Sequence, residues 1–281
     1  MPAEPLVEKE FVRFPMLYRV LHACMIVSFL SLALTGLSLK FSYTAWASFL
    51  SRMLGGFETA GYIHRVAALV MFGTFAVHLW DLRRMVRTEY GSWRALLTGP
   101  DTMVPTKRDL HEFIATMKWF LNMGTRPQYG RWTYWEKFDY FAVFWGIAII
   151  GSTGLALWFP VFFTRFLPGW AINVATIIHS DEALLATGFI FTVHFFNTHL
   201  RPEKYPMDTV IFTGQMPLAE MKRDKPREFD ALLAAGKLEE RLAHPLPALV
   251  VRVIRGFAWT ALAVGFSIVV WIIYAMVFAY R

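Results

Sequence analysis

Cysteine is almost missing: Cys24 stands alone among 281 residues, inside an apolar run. That excludes a disulfide framework, a cysteine-ligated iron–sulfur cluster and the CxxCH string of covalent haem, so any haem here is held non-covalently, as b haem. Charge is thin as well, at 17% of residues. No GxGxxG, P-loop, HExxH or serine-nucleophile string occurs, no soluble catalytic domain is suggested, and no internal repeat is evident. Apolar residues are what the chain has in quantity. At 56% hydrophobic and 17% aromatic, it reads as an all-α polytopic membrane protein whose main solvent is lipid.

Five apolar runs, at about 16–39, 61–80, 138–159, 177–200 and 249–280, each carry the roughly 20 residues that a helix needs to cross the hydrocarbon layer. The first is too long for a signal-peptide core and is expected to stay. Lys and Arg number 23 in the amino-terminal stretch and the two long connections, 81–137 and 201–248 with their flanks. Only five (Lys40, Arg52, Arg65, Arg165 and Arg281) fall on the other side. This bias predicts a cytoplasmic amino terminus and an outer carboxyl terminus in a bacterial cytoplasmic membrane. It also accounts for most of the net charge of +7 without nucleic acid. Within 101–127, DLHEFIATMKWFLNM spaces its apolar residues as an amphipathic helix lying on the inner leaflet. RPEKYPMDTV reads as extended, and LAEMKRDKPREFDALLAAGKLEERL as one or two short polar helices around Pro226.

The chemistry is carried by histidines inside the runs. His179 and His194 are 15 residues apart, roughly 22 Å of rise and about 60° of rotation; His64 and His78 are 14 apart, roughly 21 Å and about 40°. Ionisable side chains within a span are expensive and mark function. Two matched layers point to two haems stacked across the membrane, each held between helices. The plain alternative for any single histidine is a helix-to-helix hydrogen bond or a proton relay. His64 and His179 form the obvious outer pair. For the inner site His194 has two competing partners, His22 and His78, and a third haem on a surplus histidine stays open. His199 is turned about 140° from His194 and reads as an interfacial or quinone-side group.

Glu182, one turn after His179, either steers that imidazole or faces outer water. Asp81, Arg83, Glu136, Asp139, Asn197 and Arg201 gather at the cytoplasmic ends of runs two, three and four. Of these, Asp81, Asp139, Asn197 and Arg201, with His199, are the candidate quinone-headgroup residues; ordinary helix-end charge is the competing reading. Gly36, Gly73, Gly151, Gly154 and Gly188 offer close approach of helices or porphyrin. Trp132, Tyr134 and Trp135 are expected to form an interfacial aromatic belt.

Three strings, RFPMLYRVLHACMIVSFLSLALTGLSL, KFDYFAVFWGIAIIGSTGLALWFP and HSDEALLATGFIFTVHFFNTHLRPEKYPMDTVIFTG, resemble the cytochrome b (gamma) subunits of membrane-bound formate dehydrogenases. The wider set includes thiosulfate reductase and Ni–Fe hydrogenase cytochrome b subunits. The resemblance covers runs one to four. It implies a diheme cytochrome b in which His22, His64, His179 and His194 are the ligands, paired His64 with His179 and His22 with His194. His78 departs from that pattern and sits where a cytochrome bc-type bundle has its inner ligand. The resemblance further implies electron transfer between membrane quinone, menaquinone or ubiquinone, and a periplasmic-side iron–sulfur or multihaem cytochrome c subunit. Two readings compete with it: a membrane anchor or small transporter with structural or proton-carrying histidines, and a self-contained cytochrome b, which the short outer connections disfavour.

Overall fold

The computed structural model describes residues 9–205 and 207–279. The amino-terminal octapeptide, read above as retained, and Tyr280 and Arg281, placed at the outer end of the fifth run, lie outside the described residues, as does Pro206. Among the described residues, five helices are long and apolar enough to cross a membrane: Met16–Lys40, Phe57–Tyr90, Tyr134–Trp158, Trp170–Leu200 and Ala248–Phe278. The protein is an all-α polytopic membrane protein. Each helix overlaps an expected run, and the second and fourth are longer than their runs. Polar ends such as Glu58, Arg83 and Arg84 continue the second helix past the apolar stretch, because backbone pairing does not stop where hydrocarbon does.

The chain divides into two compact units. The first combines Met1–Val20, Leu79–Phe141 and Thr209–Arg255, and it contains a small sheet that the sequence did not announce. Strand β1, Glu10–Val12, lies between β2, Gln215–Pro217, and β3, Leu242–Ala243, antiparallel to both. Alternation along three residues turns Phe11 inward, where it is fully buried with Met216, Leu218, Met221 and Leu238. The two short helices expected around Pro226 are present as Leu218–Asp224 and Pro226–Ala234, with the proline in the first turn, where its missing N–H costs nothing.

Buried charge locks this unit. Arg13 donates to Glu228 (3.2 Å), to Glu136 (3.1 Å) and to the Arg131 carbonyl (2.7 Å). Glu136 also accepts from Lys225 (2.6 Å) and Glu228 from Arg131 (3.0 Å). Burial pushes the Lys225 ammonium down to about 8 even with Glu136 beside it. Such a network specifies one arrangement, since removing one member strands the others in low dielectric.

The amphipathic helix forms over Lys107–Phe120 and presents its polar side inward. Asp109, Glu112 and Thr116 are buried. Asp109 binds Lys137 (3.0 Å), Glu112 pairs with Arg227, and Thr116 bonds the Tyr129 hydroxyl (2.7 Å). Burial alone would raise the Asp109 carboxyl, but the Thr106 hydroxyl and Lys137 hold it below the usual carboxylate range. Leu110, Phe113, Ile114 and Phe120 remain exposed, so the apolar stripe is free to face lipid. The three aromatics expected as a belt are half-buried in this unit, with Trp132 against Phe14 and Arg13, and Trp135 against Tyr129 and Tyr134.

The second unit comprises Leu21–His78, Ala142–Asp208 and Gly256–Arg281. Its core joins Ala33, Leu37 and Phe41 of the first span and its end to Phe191 and Phe195 of the fourth and Leu262, Ile268 and Ala275 of the fifth. A short helix, Ala45–Met53, is capped by Thr44 and stacks Trp46 on Trp271 at 5.3 Å. The third and fourth spans are not uniformly α-helical. Ile147–Gly151, Ile190–His194 and Phe196–Leu200 are π turns, in which the backbone bond spans one extra residue.

Candidate functional site

The second unit brings His64 and His179 together. Their ring centroids are 6.2 Å apart with planes at 71°. Two imidazoles that held one metal ion between them, each bonded at about 2 Å, would have ring centroids roughly 6 Å apart. The observed separation meets that requirement.

Which nitrogen faces inward follows from the hydrogen bonds. His179 Nδ1 lies 2.9 Å from the Ile150 carbonyl, which can only accept, so Nδ1 carries the proton. Thr153 Oγ1 is a weaker second partner at 3.4 Å. His64 Nδ1 lies 2.9 Å from Thr35 Oγ1. The Thr35 hydroxyl already donates to the Ser31 carbonyl at 2.6 Å, so its oxygen accepts and His64 is also protonated at Nδ1. Both rings are left with an unprotonated Nε2, the form in which imidazole binds a metal.

Two glycines make this approach possible. A Cβ on Gly154 would stand 2.9 Å from His179 Cε1, and one on Gly36 would stand 3.3 Å from His64 Cε1. Each glycine directly follows the threonine that faces the same ring. The two neighbourhoods are spelled alike: Thr35-Gly36-Leu37-Ser38-Leu39 and Thr153-Gly154-Leu155-Ala156-Leu157. A short repeat is therefore present after all. Five residues, one of them changed, fall below what a scan for repeats registers, and only the shared relation to a histidine gives the string meaning. Glu182, a candidate partner for His179, instead accepts from Trp145 Nε1 at 3.5 Å.

At the other depth, His22 interacts electrostatically with His194 and His199, and the His78 ring stands edge-on to Phe144 at 6.2 Å. The π turn Ile190–His194 bears on the spacing. A π-bulge absorbs one residue without adding its rotation, so the 15 residues from His179 to His194 act as 14 and the offset becomes about 40°, as for His64 and His78. His199 is buried, its ring edge-on to Phe195 at 5.8 Å. Among the described residues its Nδ1 has no hydrogen-bond partner.

No protein-family model matches this chain, and no curated protein matches it with significance. The site is therefore read from its own geometry. Among the described residues, no three or more His, Cys, Asp or Glu side chains converge as a metal centre. A b haem asks the protein for two histidines only, because the porphyrin supplies the remaining nitrogens.

The other candidate residues divide between the units. In the first unit, Asp81 is buried, accepts from the Tyr18 hydroxyl at 2.9 Å and pairs with Arg84 at 2.8 Å. A carboxylate so engaged is part of the helix-end framework. Glu136 is the hub of the ion network described above, and Asp139 belongs to the same unit. A cavity of about 280 Å³, lined by Trp80, Arg83, Arg84, Arg87 and Thr88, also lies there and holds none of the paired histidines. Asn197 and Arg201 lie in the second unit with His199.

Proposed function

We propose that this chain is an integral membrane b-type cytochrome, akin to the formate dehydrogenase gamma subunits. In this reading it passes electrons between the membrane quinone pool and an iron–sulfur or multihaem cytochrome c subunit docked on the outer face. One observation carries the reading: His64 and His179 stand at 6.2 Å, each with Nδ1 engaged in a hydrogen bond. Each ring meets a neighbouring helix through Nδ1, His64 at Thr35 Oγ1 and His179 at the Ile150 carbonyl, which would leave Nε2 of both rings for a shared metal ion. Bound haem would supply one-electron chemistry. The chain's part is to fix ring orientation, exclude water and set depth.

The inner haem is assigned to His22 with His194, supported by their electrostatic proximity. Quinone is assigned to the His199 side of that pair, supported by a buried imidazole nitrogen that has no partner among the described residues. An acceptor or donor at that position suits a quinone oxygen, whose two-electron reduction takes up two protons.

The test is haem per polypeptide in the detergent-purified chain, by pyridine haemochromogen and a reduced-minus-oxidised spectrum. About two b haems per chain are expected, and His64→Ala and His179→Ala should lose the same spectral component. A folded, reproducibly colourless protein from haem-replete cells would overturn the reading in favour of a membrane anchor or transporter. Loss of different components would overturn the outer pairing.

A further inference from the structure

We infer that the repeated Thr-Gly string is a duplicated cradle for the outer histidines, in which Thr35 and Thr153 are positioning residues that hold His64 and His179 as Nδ1–H tautomers and thereby tune the metal group bound at Nε2. The inference rests on the proposed haem function for its redox consequence, and on hydrogen bonding alone for the tautomer.

The two halves of the cradle use the same parts. In each, a helix supplies a threonine whose hydroxyl proton is committed one turn back, Thr35 to the Ser31 carbonyl at 2.6 Å and Thr153 to the Ile149 carbonyl at 2.7 Å. The hydroxyl oxygen is thereby turned into an acceptor aimed at Nδ1. The next residue is glycine, and the imidazole edge lies where its side chain would be. The histidine then comes from the following span, 29 residues after Thr35 and 26 after Thr153. Two independent copies of one arrangement, on two different helix pairs, are not expected from packing alone.

The halves differ in how much each threonine carries. For His64 the threonine is the close side-chain acceptor at 2.9 Å, supplemented by the Leu32 backbone. For His179 the Ile150 carbonyl at 2.9 Å leads and Thr153 follows at 3.4 Å. An acceptor on Nδ1–H pushes electron density onto Nε2, which favours the more highly charged oxidised metal. Thr35 therefore governs its ring more strongly than Thr153 does.

The experiment compares Thr35→Val, Thr35→Ser and Thr153→Val in the full-length chain. The readouts are the midpoint potential of each haem component, the low-spin EPR g values, and the histidine ¹⁵N shifts that distinguish the tautomers, with His64→Ala and His179→Ala used to assign signals. Thr35→Val is expected to raise the midpoint of the outer component, shift its g values and leave the inner component unchanged. Thr35→Ser should restore the wild-type values, and Thr153→Val should produce a smaller shift of the same sign. Unchanged potential and g values in a haem-replete Thr35→Val protein would overturn the inference, as would an equal shift in the serine variant. If the wild-type chain binds no haem, the functional reading fails by itself, and the ¹⁵N tautomers then decide: Nδ1–H in wild type with weakened preference in Thr35→Val supports the cradle, whereas an Nε2–H ring in wild type overturns it.

Discussion

At the scale of residues, the proposed inner haem has two candidate partners for His194, namely His22 and His78. The sequence alone allows both, because both sit at the right depth; helical wheels give depth and angle for one helix but not which helix is the neighbour. Within the second unit His22 interacts with His194 and His199, while the described ring contact of His78 is with Phe144. His22→Ala and His194→Ala are therefore expected to remove the same low-spin component, and His78→Ala to leave it in place with at most a shifted maximum. Reduced-minus-oxidised spectra of the three variants decide this. A component lost in His78→Ala and His194→Ala but kept in His22→Ala would assign the inner site to the second and fourth spans. The threonines show the opposite kind of failure. Thr35 and Thr153 were in plain view in the sequence, yet a threonine in an apolar helix usually bonds back to its own turn, as these two also do. Their second role depends on a ring from another span.

At the scale of elements, the spans were legible because about 20 apolar residues in a row are a long signal, and the amphipathic helix because its period extends over four turns. The sheet was not. Strands of two and three residues carry almost no pattern, and β1 pairs with partners more than 200 residues away. The π turns were equally hidden, since their residues are ordinary and the evidence for one lies in backbone pairing. Under the proposed haem function, Ile190–His194 sets the register of His194. If it exists to absorb the extra residue between His179 and His194, deletion of exposed Thr192 should convert the segment to regular helix, leave 14 residues between the histidines and keep both haem components. Insertion of one alanine at the same place should swing His194 by about 100° and abolish the inner component while the outer one survives. Retention of the inner component in the insertion variant would mean that this turn does not set the register.

At the scale of the whole molecule, two independent arguments address the sidedness of the chain. The first is charge: 23 of 28 Lys and Arg residues fall in the amino-terminal stretch and the two long connections with their flanks, the bias on which the proposed cytoplasmic side rests. The second is pairing. Strand β1 precedes the first span, β2 and β3 follow the fourth, and all three share one sheet. The connection after the second span joins them through Arg227 to Glu112 and Lys225 to Glu136. Groups that hydrogen-bond in one compact unit cannot be separated by a bilayer, so these three segments lie on the same side whatever that side is. With five spans, the proposed topology has the carboxyl terminus opposite. The proposed side rests on charge and the grouping rests on pairing, and neither argument borrows from the other. A phosphatase reporter that is active only when exported should accordingly be silent when fused after Lys237 and active when fused after the fifth span, while a green fluorescent reporter should be bright at Lys237 and dark at the carboxyl terminus. The reversed pattern would show that the charge bias has been misread but would keep the grouping. Opposite sidedness for fusions placed after Lys118 and after Lys237 would break the grouping itself, because no orientation of an intact unit allows it.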